Sequence, residues 1–243
     1  MNSKPLLVAI LSLALLTTAC GPKKIRTPER PLEFKATIHN VSEASSIPTA
    51  LSPGVWAIHT EPYPMYQAKK PDRDQGLESL AEDGVPDVLL ANLLKMVDVA
   101  AAGIFDTPSD SKEPGPLAPG SSYTFTFRAM PGDYLSFATM FLQSNDLFFG
   151  SPCTGIPLFD EGAPLSGDIT ALVRLWDCGT EVNEVPGIGH YQAPRQKGPD
   201  MGAPEYLKVH VAIGEYPDVT DMIRVTIEPT TASTPHPPPM DIP

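Results

Sequence analysis

"SYTFTFRA", Ser122–Ala129, puts Tyr123, Phe125 and Phe127 on one side of an extended chain and Thr124 and Thr126 on the other. Strict alternation of aromatic and polar residues marks a strand with one face on a core and one in water. Six other stretches carry alternation or β-branched enrichment: "EFKATIHNV" (33–41), "GVWAIHT" (54–60), "YLSFATMFLQ" (134–143), "ITALVRLW" (169–176), "YLKVHVAIG" (206–214) and "MIRVTIEP" (222–229). Helical spacing is confined to "GLESLAED" (76–83) and "VPDVLLANLLKMVDVAAAGIF" (85–105), where Leu89, Leu93 and Met96 recur beside Val97 and Ala100. Strands separated by turn signals, with two helices inserted early, predict an all-β, antiparallel β-sandwich with short inserted helices. No repeat of 20–50 residues points instead to a solenoid or propeller.

The composition agrees with many loops and short strands. Proline occurs 29 times in 243 residues, well above the roughly 5% average. Lys and Arg total 17 against 29 Asp and Glu, a net charge of −12, so nucleic acid, which is bound through clustered cations, is a poor partner.

The ends of the chain read differently from its middle. "MNSKPLLVAILSLALLTTACG" has one early cation, Lys4, an apolar run over residues 6–16, and small residues ending at Cys20. The run is shorter than the about 20 residues that a spanning helix needs, and it reads as a signal peptide over residues 1–19. Cys20 resembles the lipobox cysteine that is lipidated and becomes the new N-terminus. Gly21 after it resembles the signal for export to the outer membrane; a secreted protein cut nearby is the alternative. Residues 20–31 form a basic tether whose cations would reinforce a single lipid anchor. The proline-rich residues 230–243 have no packable periodicity and read as a disordered tail. The folded domain is expected over residues 32–229. Of the remaining cysteines, Cys153 and Cys178 form either a disulfide, in an oxidising compartment, or two buried thiols.

Catalytic signatures such as GxSxG, HExxH, a P-loop or a CxxC pair do not occur. The five histidines are scattered, and "DRDQGLESLAED" (72–83) fails as an EF-hand loop because its glycine falls at position five. Two acidic strand ends stand out. "FLQSNDLFFG" brings Asn145 and Asp146 after one apolar strand, and "LWDCGTEVNE" brings Asp177 and Glu181 after another. Solvated strand ends look alike, but calcium takes six to eight oxygens, so two adjacent loops at one sandwich edge make a natural cage. Gly179 permits the tight turn that would bring Asp177 and Glu181 together.

"LSPGVWAIHT", "GLESLAEDG", "SNDLFF" and "LWDCGTEVNEVPGIG" together resemble the bacterial branch of the spondin N-terminal domain family, in family order and over residues 33–229. The resemblance implies a β-sandwich similar to a C2 domain, a Ca2+ ion held by Asp146, Asp177 and Glu181, and a role as an adhesion or binding module. Cys178 stands where the family motif usually has alanine, and Glu181 where animal members have aspartate. Glu82 and Asp83 read as a helix terminus outside the site. The expected setting is the cell envelope, with membrane attachment through the lipid and an envelope or matrix protein or glycan as partner. A Cys153–Cys178 disulfide would lie beside the metal loops. Two other readings stay open: a calcium-dependent envelope hydrolase with Asp177 and Glu181 as general acid and base, and a metal-free structural protein.

Overall fold

The computed structural model describes residues 30–230; the signal segment, Cys20, nearly all of the tether and the proline-rich tail lie outside them. In chain order come β1 (Leu32–Asn40), β2 (Leu51–His59), α1 (Leu77–Asp83), α2 (Asp87–Leu93), β3 (Val99–Phe105), β4 (Ser122–Ala129), β5 (Tyr134–Phe141) and β6 (Leu147–Gly150). The second half holds β7 (Ile156–Pro157), β8 (Phe159–Asp160), β9 (Ala163–Pro164), β10 (Gly167–Asp168), β11 (Arg174–Asp177), β12 (His210–Val211), α3 (Val219–Met222) and β13 (Ile223–Thr230). A four-stranded sheet runs β10-β13-β1-β4, and a seven-stranded one runs β12-β11-β6-β5-β2-β3, with β7 paired to the start of β5. Strand pairing in both is antiparallel. The protein is the expected all-β sandwich with short helices.

Its core lies where the two sheets face each other. Phe34, Ala36 and Ile38 of β1 and Tyr123, Phe125 and Phe127 of β4 meet Leu135, Phe137 and Phe141 of β5, Leu147 and Phe149 of β6, and Leu175 of β11. Phe125 stacks on Phe105 at 5.2 Å and on Trp56 at 5.6 Å, so one side chain of the small sheet grips two strands of the large one. Such pairs contribute about 0.5–1.5 kcal/mol each beyond the area they bury.

A third layer covers the outer face of the large sheet. Leu77, Leu80 and Ala81 of α1 and Leu89 and Leu93 of α2 pack on Val55, Ala57, Ala138, Phe148 and Trp176. Neighbouring residues of one strand therefore serve opposite layers: Leu147 and Phe149 point into the sandwich while Phe148 points to the helices. This explains the unbroken apolar runs of β5 and β6, since a strand covered on both faces has no need of polar alternation.

Three expected elements differ. The helix predicted through residue 105 stops at α2, and its last third is β3, paired to β2 from Gly54↔Phe105 to His59↔Val99. Three consecutive alanines favour a helix locally, but the hydrogen bonds and burial offered by β2 outweigh that preference. "ITALVRLW" begins with a 3-10 turn, Thr170–Leu172, before β11. "YLKVHVAIG" contributes only the two residues of β12, leaving Tyr206 and Ile213 exposed.

Phe125→Ala removes both inter-sheet stacks and leaves a cavity. It should cost about 3–5 kcal/mol, read as a lower urea midpoint with an unchanged denaturant slope.

Candidate metal centre

The acidic residues are brought together by strand register. β6 and β11 run antiparallel with Leu147 opposite Asp177, so Asp146, just before β6, lies beside the residues that follow β11. The Cys178 amide donates to the Asp146 carbonyl at 3.1 Å. Gly179 then takes a φ of 75°, a left-handed conformation natural to glycine, and donates its amide to Asp177 Oδ1 at 2.8 Å. The turn aims the next two amides backward: Thr180 N and Glu181 N donate to Asp146 Oδ2 at 2.9 and 3.0 Å.

Asn145 fastens the other side of the turn. Its Nδ2 donates to Glu181 Oε2 at 3.1 Å and to the Val182 carbonyl at 2.9 Å, while its Oδ1 accepts from the Glu184 amide at 3.0 Å. Glu181 Oε1 accepts from the Gly202 amide at 2.7 Å. A Cβ at Gly202 would overlap the Glu181 carboxylate, so only glycine lets the two approach. Asp177 Oδ2 accepts from Asn183 Nδ2 at 2.5 Å and lies 3.6 Å from His210 Nε2, on the paired strand β12.

Among the described residues, two buried side-chain oxygens have no hydrogen-bond partner: Asp146 Oδ1 and Glu82 Oε1. Asp146 is fully enclosed and Glu82 is 2% exposed. An unpaired buried carboxylate oxygen is costly, so these groups resist ionisation. Burial, then the Asp177 charge, holds the Asp146 carboxyl well above the usual carboxylate range against the Glu181 and Thr180 amides. Burial pushes Glu82 up to about 8, with the Thr180 hydroxyl partly offsetting it and the Glu181, Glu78 and Asp146 charges adding to it. Glu181 is also raised, by burial and by Asp200 and Asp83, against its bonds to Asn145 and Gly202.

The predicted ligands are thus neighbours, but they do not all point at one place. Among the described residues, two trios of carboxylates each offer one oxygen within 4.8 Å of the others: Asp72, Asp74 and Glu78, and Glu78, Glu82 and Asp200. Asp146, Asp177 and Glu181 are not such a trio, and the Glu181 carboxylate is engaged by Gly202 and Asn145. Glu82, read as a helix terminus from sequence, lies inside the acidic region. The signal for it was the i, i+4 spacing of Glu78 and Glu82, which puts both on one helix face. Asp200 carried no local signal; only tertiary folding brings it near α1.

Cys153 and Cys178 are unbonded thiols, not the expected disulfide. The register that unites Asp146 with Asp177 separates them: Cys153 follows the Gly150 end of β6, whereas Cys178 follows the opposite end of the pair. Three residue steps at about 3.4 Å place those ends about 10 Å apart, beyond the roughly 7 Å Cα limit for a bridge. Both sulfurs join the packing beneath the helices instead.

A second polar arrangement lies at the far end of β2. His59 is buried, with Nε2 2.9 Å from Ser136 Oγ and Nδ1 2.7 Å from the Glu61 carbonyl. His59 lines a cavity of about 190 Å³ with Glu61, Tyr63, Arg73 and Asp98, but Ser136 does not, so its hydroxyl is enclosed in the sheet. Among the described residues, no helix is long and apolar enough to cross a membrane. No family model matches the chain, and no curated protein matches it significantly.

The raised value of Glu82 sets a pH dependence. Between the ordinary value of 4.5 and about 8 the folded state holds a proton that the unfolded chain releases, so stability is greatest at acid pH and falls as pH rises. In chelator-treated protein the urea midpoint should drop from pH 5 to pH 8. Glu82→Gln should flatten that drop and exceed the parent in stability at pH 8.

Proposed function

We propose that this protein is a calcium-binding β-sandwich of the cell envelope, attached through a lipid on Cys20 and acting as an adhesion or binding module, as its resemblance to the spondin N-terminal domain family implies. The observation that carries the calcium reading is Asp146 Oδ1, a buried carboxylate oxygen with no partner beside the acids of a neighbouring strand end. Asp146, Asp177 and Glu181 would hold the ion. The donor set fits: it consists of hard oxygens, and Asp146 Oδ1 has both lone pairs free for a metal. Bound calcium supplies positive charge beside Asp146 and Glu181, whose carboxyls burial and neighbouring acids raise. Asp146 serves as the fixed ligand, its other oxygen locked by two amides. For all three acids to share one ion, Glu181 exchanges its bond to Gly202 or to Asn145 for the metal. Adhesion by such a module would run through an envelope or matrix protein or glycan.

Calcium that binds only the folded state stabilises it by about 2.7 kcal/mol at a hundredfold excess over the dissociation constant, which corresponds to a rise in Tm of about 5–10 °C for a domain of this size. Thermal melts with calcium and with chelator should show that difference. Asp146→Asn and Asp177→Asn should each remove most of it. A melting curve indifferent to calcium would overturn the reading.

The anchor has its own measurement. Mass spectrometry of the mature N-terminus should find Cys20 as the first residue, carrying acyl chains. An unmodified protein starting elsewhere would leave the secreted alternative.

A further inference from the structure

We propose that Glu78, Glu82 and Asp200 form a second divalent-cation position, formed between α1 and the loop before β12 and separate from that at Asp146, Asp177 and Glu181. It shares none of its three residues with that site, although the loop that carries Asp200 is tied to Glu181 through the Gly202 amide.

The position is built by two independent pieces of chain. Glu78 and Glu82 are one helical turn apart on α1, so their carboxylates rise from the same face. Asp200 is delivered by a loop that is fastened on both sides of it. On one side, Gln196 Nε2 donates to Asp83 Oδ1 at 2.7 Å, tying the loop to the end of α1. On the other, the Gly202 amide donates to Glu181 Oε1. The three acids then offer one oxygen each within 4.8 Å of the others. Calcium holds its oxygens at 2.3–2.6 Å, so ligand oxygens on one ion lie no more than about 5 Å apart, and the spacing of the trio is compatible with that.

Crowded surface acids alone would mean little. Here Glu82 is enclosed, and its Oε1 has neither a hydrogen-bond partner nor contact with solvent. Among the described residues, none of the ion pairs brings a lysine, arginine or histidine to Glu78, Glu82 or Asp200. Asp72, Asp74 and Glu78 form a comparable trio, but no buried oxygen in it lacks a partner, and Asp72 Oδ2 already accepts from the Asp74 amide. The inner trio is therefore the one with an enclosed oxygen that a cation would satisfy in place of a proton. The remaining calcium ligands would be waters, because Asp200 is exposed and Glu78 half-exposed.

Calorimetric titration of the full chain with calcium chloride, after chelation and dialysis, tests this. Wild type should bind two ions. Asp200→Asn and Glu78→Gln should each abolish one binding event, or weaken it at least tenfold, and leave the other unchanged. Both positions reach the surface, so neither variant should compromise folding, and unchanged urea midpoints in chelator check this. Asp177→Asn should spare the event that Asp200→Asn removes. One ion lost in Asp200→Asn and Glu78→Gln but kept in Asp177→Asn would support this position and overturn the other. Wild-type binding in both Asp200→Asn and Glu78→Gln would overturn this position alone. A single ion lost in all three variants would also overturn it, by showing one merged site.

Discussion

The pairing of β6 with β11 governs the chemistry of this molecule. Four residues on each strand, in antiparallel register with Leu147 against Asp177, decide which loop ends are neighbours. Asp146 meets Asp177 because one precedes its strand and the other ends its own. Cys153 is parted from Cys178 by the same rule. The turn at Gly179 then reuses backbone amides as ligands for Asp146 Oδ2, which leaves Oδ1 as the acceptor that the protein does not satisfy. A register slip of one residue would send Leu147, Phe149 and Leu175 to the helical layer and Phe148 and Trp176 to the sandwich. The core on both faces therefore protects the arrangement of the acids.

Much of the sandwich was legible because its signals are local. "SYTFTFRA" reads as a strand from alternation alone, and it is β4 over the same eight residues. The failures have local causes too. Ala100, Ala101 and Ala102 carry helix preference, and nothing nearby announces that β2 waits to pair with them. In "YLKVHVAIG" the alternation is real, but residues 206–209 are engaged by Gly179 and Lys70 in an irregular ribbon instead of a regular ladder.

The site was legible only in part, for a related reason. Asp146, Asp177 and Glu181 announce themselves at the ends of apolar runs, so sequence can nominate them. Whether their oxygens point together depends on Gly202 and Asn145, and sequence is silent on those side-chain bonds. Glu82 shows the reverse case. Its position near the end of α1 suggested a helix terminus outside the site, yet Gln196 bonds across that end of the helix and Glu82 is buried.

The sheet edges have a consequence for colloidal behaviour. A row of unpaired backbone groups at an edge invites strand addition from another chain. Of the four edges of the two facing sheets, β10 and β12 are only two residues long. The two long edges, β3 and β4, meet at the Phe105–Phe125 stack, where the sandwich curls toward closure. At high protein concentration this layout limits association, because the sheets present little template for cross-β growth while the loops stay open to solvent.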